Sequence, residues 1–137
     1  MPRSRHDRST EEVPARRMVD VTAANTILYC GRFEDCVAFY ADSLGFELIE
    51  KGDWFVEFRI CESACLSLAD ETRTSIAGGR GRGVTLTFRV ADADSTQAVL
   101  SARGVETTPV KTTWGARTFF VFDPDGHRLE FWSSSKA

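Results

Sequence analysis

Residues 26–45 read TILYCGRFEDCVAFYADSLG, and residues 84–104 read VTLTFRVADADSTQAVLSARG. In the first stretch TILYCG is rich in β-branched and aromatic residues and reads as a strand. Phe33, Val37, Phe39, Tyr40 and Leu44 then recur at helical spacing until Gly45 stops them. In the second, the alternating VTLTFRV gives way at Asp92, a good helix N-cap, to a helical run carrying Val99 and Leu100 that ends at Gly104. Asn25 lies 20 residues before Gly45, and Thr85 lies 19 residues before Gly104. One strand–helix unit therefore occurs twice, and a repeat decides architecture before any single residue does.

Outward from the first copy come FELIE, DWFVEFRI and ACLSLA, separated by KGD and CES, which read as turns between antiparallel strands. The second copy is followed by a short VETTPV, then by TFFVF and HRLEFW on either side of Asp-Pro-Asp-Gly, a strong turn sequence. The halves keep step to the end: Asn25 to Ser67 spans 42 residues and Thr85 to Glu130 spans 45. The expected organisation is a tail over 1–22, a βαβββ module over 23–70, a Gly-rich linker over 71–83 and a second βαβββ module over 84–134. AGGRGRG at 77–83 reads as flexible linker and not as a phosphate loop, because a strand follows it where such a loop needs a helix. The fold class is α+β, with two tandem modules forming curved mixed sheets around a cleft and helices on their outer faces.

Composition narrows the functions. The 137 residues are 42% hydrophobic and 27% charged, an ordinary globular mixture. With 17 Lys and Arg against 20 Asp and Glu the net charge is −3, which provides no basic field for nucleic acid. No stretch is apolar for long enough to be a membrane span. Arg16-Arg17 lacks the apolar run of an export signal after it, so a cytoplasmic protein is expected, with neither nucleic acid nor membrane as partner. Cys30, Cys36, Cys61 and Cys65 read as free thiols, since the Cys61–Cys65 pair has no second Cys/His pair to complete a zinc site.

Period-two alternation sorts the strands into faces. Asn25, Ile27 and Tyr29 share one face of the first strand, with Cys65 and Ser67 beside them. In the second half Thr85, Thr87 and Arg89 oppose Leu86, Phe88 and Val90, and Arg128, Glu130 and Trp132 oppose Leu129 and Phe131. A polar and aromatic face of this kind suits a small-molecule cleft. The ligand-binding candidates are Asn25, Ser67, Thr85, Thr87, Arg89, Trp114, Arg117, Arg128 and Trp132; Glu130 and Tyr29 are the acid–base candidates. Each has a structural alternative: Trp54, Trp114 and Trp132 as core or interface aromatics, Arg117 and Arg128 as partners that neutralise Glu130 or Glu57, and Tyr29 as a structural hydrogen bonder.

FEDCVAFYADSLGF resembles the first-helix signature of the vicinal oxygen chelate superfamily, and DPDGHRLEFW resembles its last hairpin. The resemblance covers residues 23 to 133. It implies the paired-module fold, a homodimer whose partner completes each cleft, and a divalent metal held from the first and fourth strands of each module. Asn25, Ser67, Thr85 and Glu130 stand at those positions, so Glu130 is the one strong ligand. His6 lies in the tail, and His127 has side-chain parity opposite to Glu130. No cofactor is therefore expected, a divalent metal finding only an incomplete site. The superfamily ranges from glyoxalases and dioxygenases to metal-free drug-binding resistance proteins. The expected function is that of a bleomycin-resistance-like binder of a small aromatic or heterocyclic molecule. The alternatives are a superfamily enzyme, either a lyase or dioxygenase with a metal bound by Glu130 or a metal-free isomerase or cyclase using Glu130 and Tyr29 as acid and base, and a scaffold with a vestigial cleft.

Overall fold

The computed structural model describes residues 18–135; most of the expected tail, His6 included, lies outside them. The chain runs β1 (Ala24–Cys30), α1 (Phe33–Ala38), a π-helical turn (Phe39–Ser43), β2 (Glu47–Lys51), β3 (Phe55–Cys61) and β4 (Ala64–Asp70). After a 3₁₀ turn (Glu71–Arg73) the order repeats as β5 (Thr85–Arg89), α2 (Ala93–Ala102), β6 (Lys111–Thr113), β7 (Ala116–Phe122) and β8 (Arg128–Ser134). Two four-stranded mixed sheets result, ordered β1-β4-β3-β2 and β5-β8-β7-β6. In each, the first strand pairs parallel with the last and the remaining neighbours are antiparallel.

Alternation decides which side of each sheet is buried. Leu28, Val56, Phe58, Leu66 and Leu68 of the first sheet and Phe119, Val121, Leu129 and Phe131 of the second belong to one core cluster. Phe33, Cys36 and Tyr40 from the α1 region and Ala93 and Leu100 from α2 complete it. The modules share this core: Phe46 and Phe88, one from each, meet edge to face at 6.0 Å, and Phe88, Phe131 and Phe119 continue the run. All four cysteines are free thiols, Cys30 and Cys36 buried among these side chains. Burial of each large side chain contributes about 1.5–3 kcal/mol, and the polar faces are left on the reverse side of each sheet.

The DPDG turn between β7 and β8 fastens the second module to the first. Asp125 accepts hydrogen bonds from the amides of Gly31 and Arg32, at the start of α1. Asp123, fully buried, accepts from the Tyr40 hydroxyl at 2.7 Å, from the His127 ring at 2.8 Å, and from the amides of Asp125 and His127. Burial pushes the Asp123 carboxyl up, but the hydrogen bonds from His127 and Tyr40 outweigh it and hold it below the usual carboxylate range. Burial and the adjacent Asp123 charge push the Tyr40 phenol far up, so it stays protonated as donor.

Two expectations change here. The Gly-rich stretch is a fastened strap: Glu71 receives Gly78 N and both ends of the Arg80 guanidinium, which lies 3.8 Å from Asp125. Arg80 and the Gly78 amide draw the Glu71 carboxyl down to about 2. Glycine is required where the strap presses on backbone: at Gly81, with φ 84°, a Cβ would stand 2.1 Å from the Gly126 carbonyl oxygen. The short strand expected at VETTPV sits instead at Lys111–Thr113, because Pro109 has no amide to donate; that segment is tied to β7 by Thr108, which bonds Phe120 twice.

Candidate site on the polar sheet faces

The candidates gather into two groups, one on each sheet. On the first, β1 and β4 run in register with Asn25 opposite Cys65 and Ile27 opposite Ser67. The Ser67 hydroxyl, fully buried, donates to Asn25 Oδ1 at 3.0 Å. Glu57 stands opposite Ser67 on the β3 side. Burial, with the Glu57 carboxylate accepting from the thiol, pushes Cys65 above its ordinary value. Glu57 was not among the candidates, although the alternation of FVEFRI already assigns it to this face.

On the second sheet Thr85, Thr87 and Arg89 of β5 stand opposite Arg128, Glu130 and Trp132 of β8. Arg128 Nε donates to Thr85 Oγ1 at 2.9 Å, and its guanidinium lies 4.8 Å from the centre of the Phe120 ring. Arg89 lies over Trp132 at 5.2 Å. Glu130 and Trp132 are each 8% exposed, enclosed by these longer side chains. Phe120, the partner of Glu130 on β7, is a wall residue that sequence reasoning passed over.

Two candidates fall elsewhere. Arg117 is corrected: it shares a face of β7 with Phe119 and Val121, on the helix side. There it forms a bidentate pair with Asp94 of α2 at 2.7 and 3.0 Å and donates to Thr112. That pair lowers the Asp94 carboxyl and raises the Arg117 guanidinium. Trp114 sits at the tip of the β6–β7 hairpin, 65% exposed, where Trp114 and Gly115 have φ 54° and 77°. Positive φ at both central residues is a type I′ turn. Tyr29 is on the first sheet and Glu130 on the second, so the two acid–base candidates do not share a sheet.

A divalent metal does not fit the implied positions. Asn25 Oδ1 is taken by Ser67, and Thr85 Oγ1 by Arg128. Drawn from one chain or from two copies, the four positions provide one carboxylate, where iron, zinc or manganese needs several imidazole or carboxylate donors. Among the described residues, His, Cys, Asp and Glu nowhere gather in a group of three that could hold a metal.

A sequence model of the glyoxalase/bleomycin resistance protein/dioxygenase superfamily matches residues 20–131. The chain belongs to that superfamily. It is 31% identical over 120 residues to the uncharacterized protein YwkD of Bacillus subtilis (strain 168), covering 77% of this chain and 91% of that one. A glyoxalase/bleomycin resistance protein/dioxygenase from Nocardioides superposes with a TM-score of 0.71 at 24% identity, over 91% of this chain and 89% of that one. TnmS3, an antibiotic-binding protein from Streptomyces sp. CB03234, gives 0.69 at 24% over 87% and 100%. Lactoylglutathione lyase from Agrobacterium tumefaciens gives 0.67 at 22% over 82% and 92%. At these identities the structures share the fold, and a fold that serves a binder and a lyase leaves function to the site. Among the described residues, no helix is long and apolar enough to cross a membrane.

Proposed function

We propose that the protein binds a small planar aromatic or heterocyclic molecule without a metal, and that a second copy of the chain completes the cleft. The observation that carries this reading is the wall on the second sheet, where Arg89 covers Trp132 and Arg128 covers Phe120 around Glu130. Guanidinium planes laid on rings make a flat surface on which a planar ligand stacks, and an enclosed carboxylate beside them orients a ligand donor. The fold shared with an antibiotic-binding protein supports the reading, as does a donor set unsuited to a metal.

A thermal-shift and tryptophan-fluorescence screen of quinolines, acridines and naphthoquinones, with and without EDTA, tests it. A bound compound at 100 times its Kd stabilises the fold by about 2.7 kcal/mol, equally in EDTA. Trp132→Ala weakens binding about tenfold or more, while Glu130→Gln has the smaller effect. Binding that disappears in EDTA, or no stabilisation by any compound, overturns the proposal. Turnover lost in a folded Glu130→Gln variant replaces it with an enzyme.

A further inference from the structure

At the seam between the modules, away from the wall of the second sheet, a hollow of about 140 Å³ is lined by Ile27 and Tyr29 of β1, Gly79 and Arg82 of the strap, Val84 and His127. The His127 side chain is 7% exposed, and its Nδ1 lies 2.8 Å from Asp123 Oδ2. Asp123 is a carboxylate already accepting from Tyr40 and two amides, so Nδ1 must carry the proton. In the neutral imidazole that leaves Nε2 as a lone-pair acceptor, and it has no hydrogen-bond partner among the described residues. It is the polar atom that His127 has left to offer the hollow. A buried imidazole oriented from behind with its other nitrogen unsatisfied calls for a donor.

Arg82 supplies the second half of the pattern. Arg32, Arg80 and Arg117 are each engaged by a carboxylate, at 2.7 Å in every case. The Arg82 amide donates to the Gly79 carbonyl at 3.1 Å, while its guanidinium has no hydrogen bond or ion pair among the described residues. The acids nearby are occupied: Glu71 by Arg80 and Gly78, Asp125 by Gly31 and Arg32. The remaining walls, Ile27 and Val84, are apolar and partly exposed. We infer that this hollow is a second ligand site, for a small 2-hydroxycarboxylate. Its carboxylate pairs with Arg82, its hydroxyl donates to His127 Nε2, and its short alkyl group lies against Ile27 and Val84. The volume is that of roughly five water molecules, which suits about six heavy atoms.

The test is a titration of the full ¹⁵N-labelled chain with L-lactate, following the imidazole nitrogens. The two histidines, His6 and His127, are told apart with a His6→Ala variant. Lactate shifts the His127 Nε2 resonance saturably. Propionate, which lacks the hydroxyl, and lactamide, which lacks the charge, bind about tenfold or more weakly. Arg82→Gln, at an exposed and unpaired position, weakens lactate about tenfold with an unchanged thermal transition, whereas Trp132→Ala leaves the lactate shift intact. This last result separates the site from the aromatic wall, so either can fail alone. A His127 resonance unmoved by lactate, equal binding of lactate and propionate, or undiminished binding by Arg82→Gln overturns the inference.

Discussion

The two helices occupy equivalent places in the repeat and begin in opposite ways. Ahead of α2, the Asp92 side chain accepts from the amides of Asp94 and Ser95, so the ten-residue helix carries its own N-cap. Helix α1 has six residues and no side-chain cap from Arg32; the carboxylate at its start is Asp125, some 90 residues away in the other module. One helix is specified locally and the other by docking of the second module. A short helix is marginal by itself, because the first turn fixes several residues for one hydrogen bond. The repeated sequence therefore yields two modules of which the first depends on the second.

Removing the buried centre of this dependence has the largest effect. Asp123→Ala strips a carboxylate from Tyr40, His127 and two amides, and is expected to lower unfolding stability by about 3–5 kcal/mol in urea titrations. Because the folded Asp123 carboxyl lies below its ordinary value, its contribution is complete above the unfolded value, about 3.9, and drains away as pH falls through the folded one. Urea midpoints between pH 5 and pH 2 fall less steeply in Asp123→Asn. A profile as steep as the parent's removes Asp123 as the acid-sensitive group.

The two caps sharpen the contrast. Asp125→Ala costs about 1–2 kcal/mol, and hydrogen exchange accelerates through α1 and the strap; Asp92→Ala costs about 1 kcal/mol and accelerates exchange only in the first turn of α2. Equal, local effects in both variants would make the two helices alike after all. The smallest expected change is a gain. Trp114 occupies a left-handed position that Asn tolerates better, so Trp114→Asn before Gly115 stabilises the β6–β7 hairpin by about 0.5–1 kcal/mol, seen as a small rise in Tm. A fall in Tm would mean that the exposed indole has packing value at this tip.

Much of the fold was legible because its signals are local and repeat. The runs around Gly45 and Gly104, the Asp92 cap and the DPDG turn each fix a boundary within a few residues, and alternation sorts core from polar face throughout β4, β5 and β8. The site was legible by face and not by neighbourhood. Parity correctly groups Arg128, Glu130 and Trp132 with Thr87 and Arg89. Arg117 stands apart from that group: its parity on β7 sets it with Phe119 and Val121, and Asp94, a residue of α2, claims it. Phe120 and Glu57 were available to the same reasoning, and lacked only the register that sets them beside Glu130 and Ser67.

The sequence by itself determined two copies of a strand–helix–three-strand unit, the apolar side of each sheet and the residues offered on the other side. These follow from periodicities of 2 and 3.6 and from turn chemistry, which act over a few residues. Tertiary structure alone decided that Asp123 and Asp125 hold the first helix, that glycines chosen for flexibility form a tight strap, and that His127 and Arg82 line one hollow. Those contacts join residues tens of positions apart. A carboxylate, a glycine or an imidazole carries no mark of which distant backbone or side chain will meet it once two modules close on a common core.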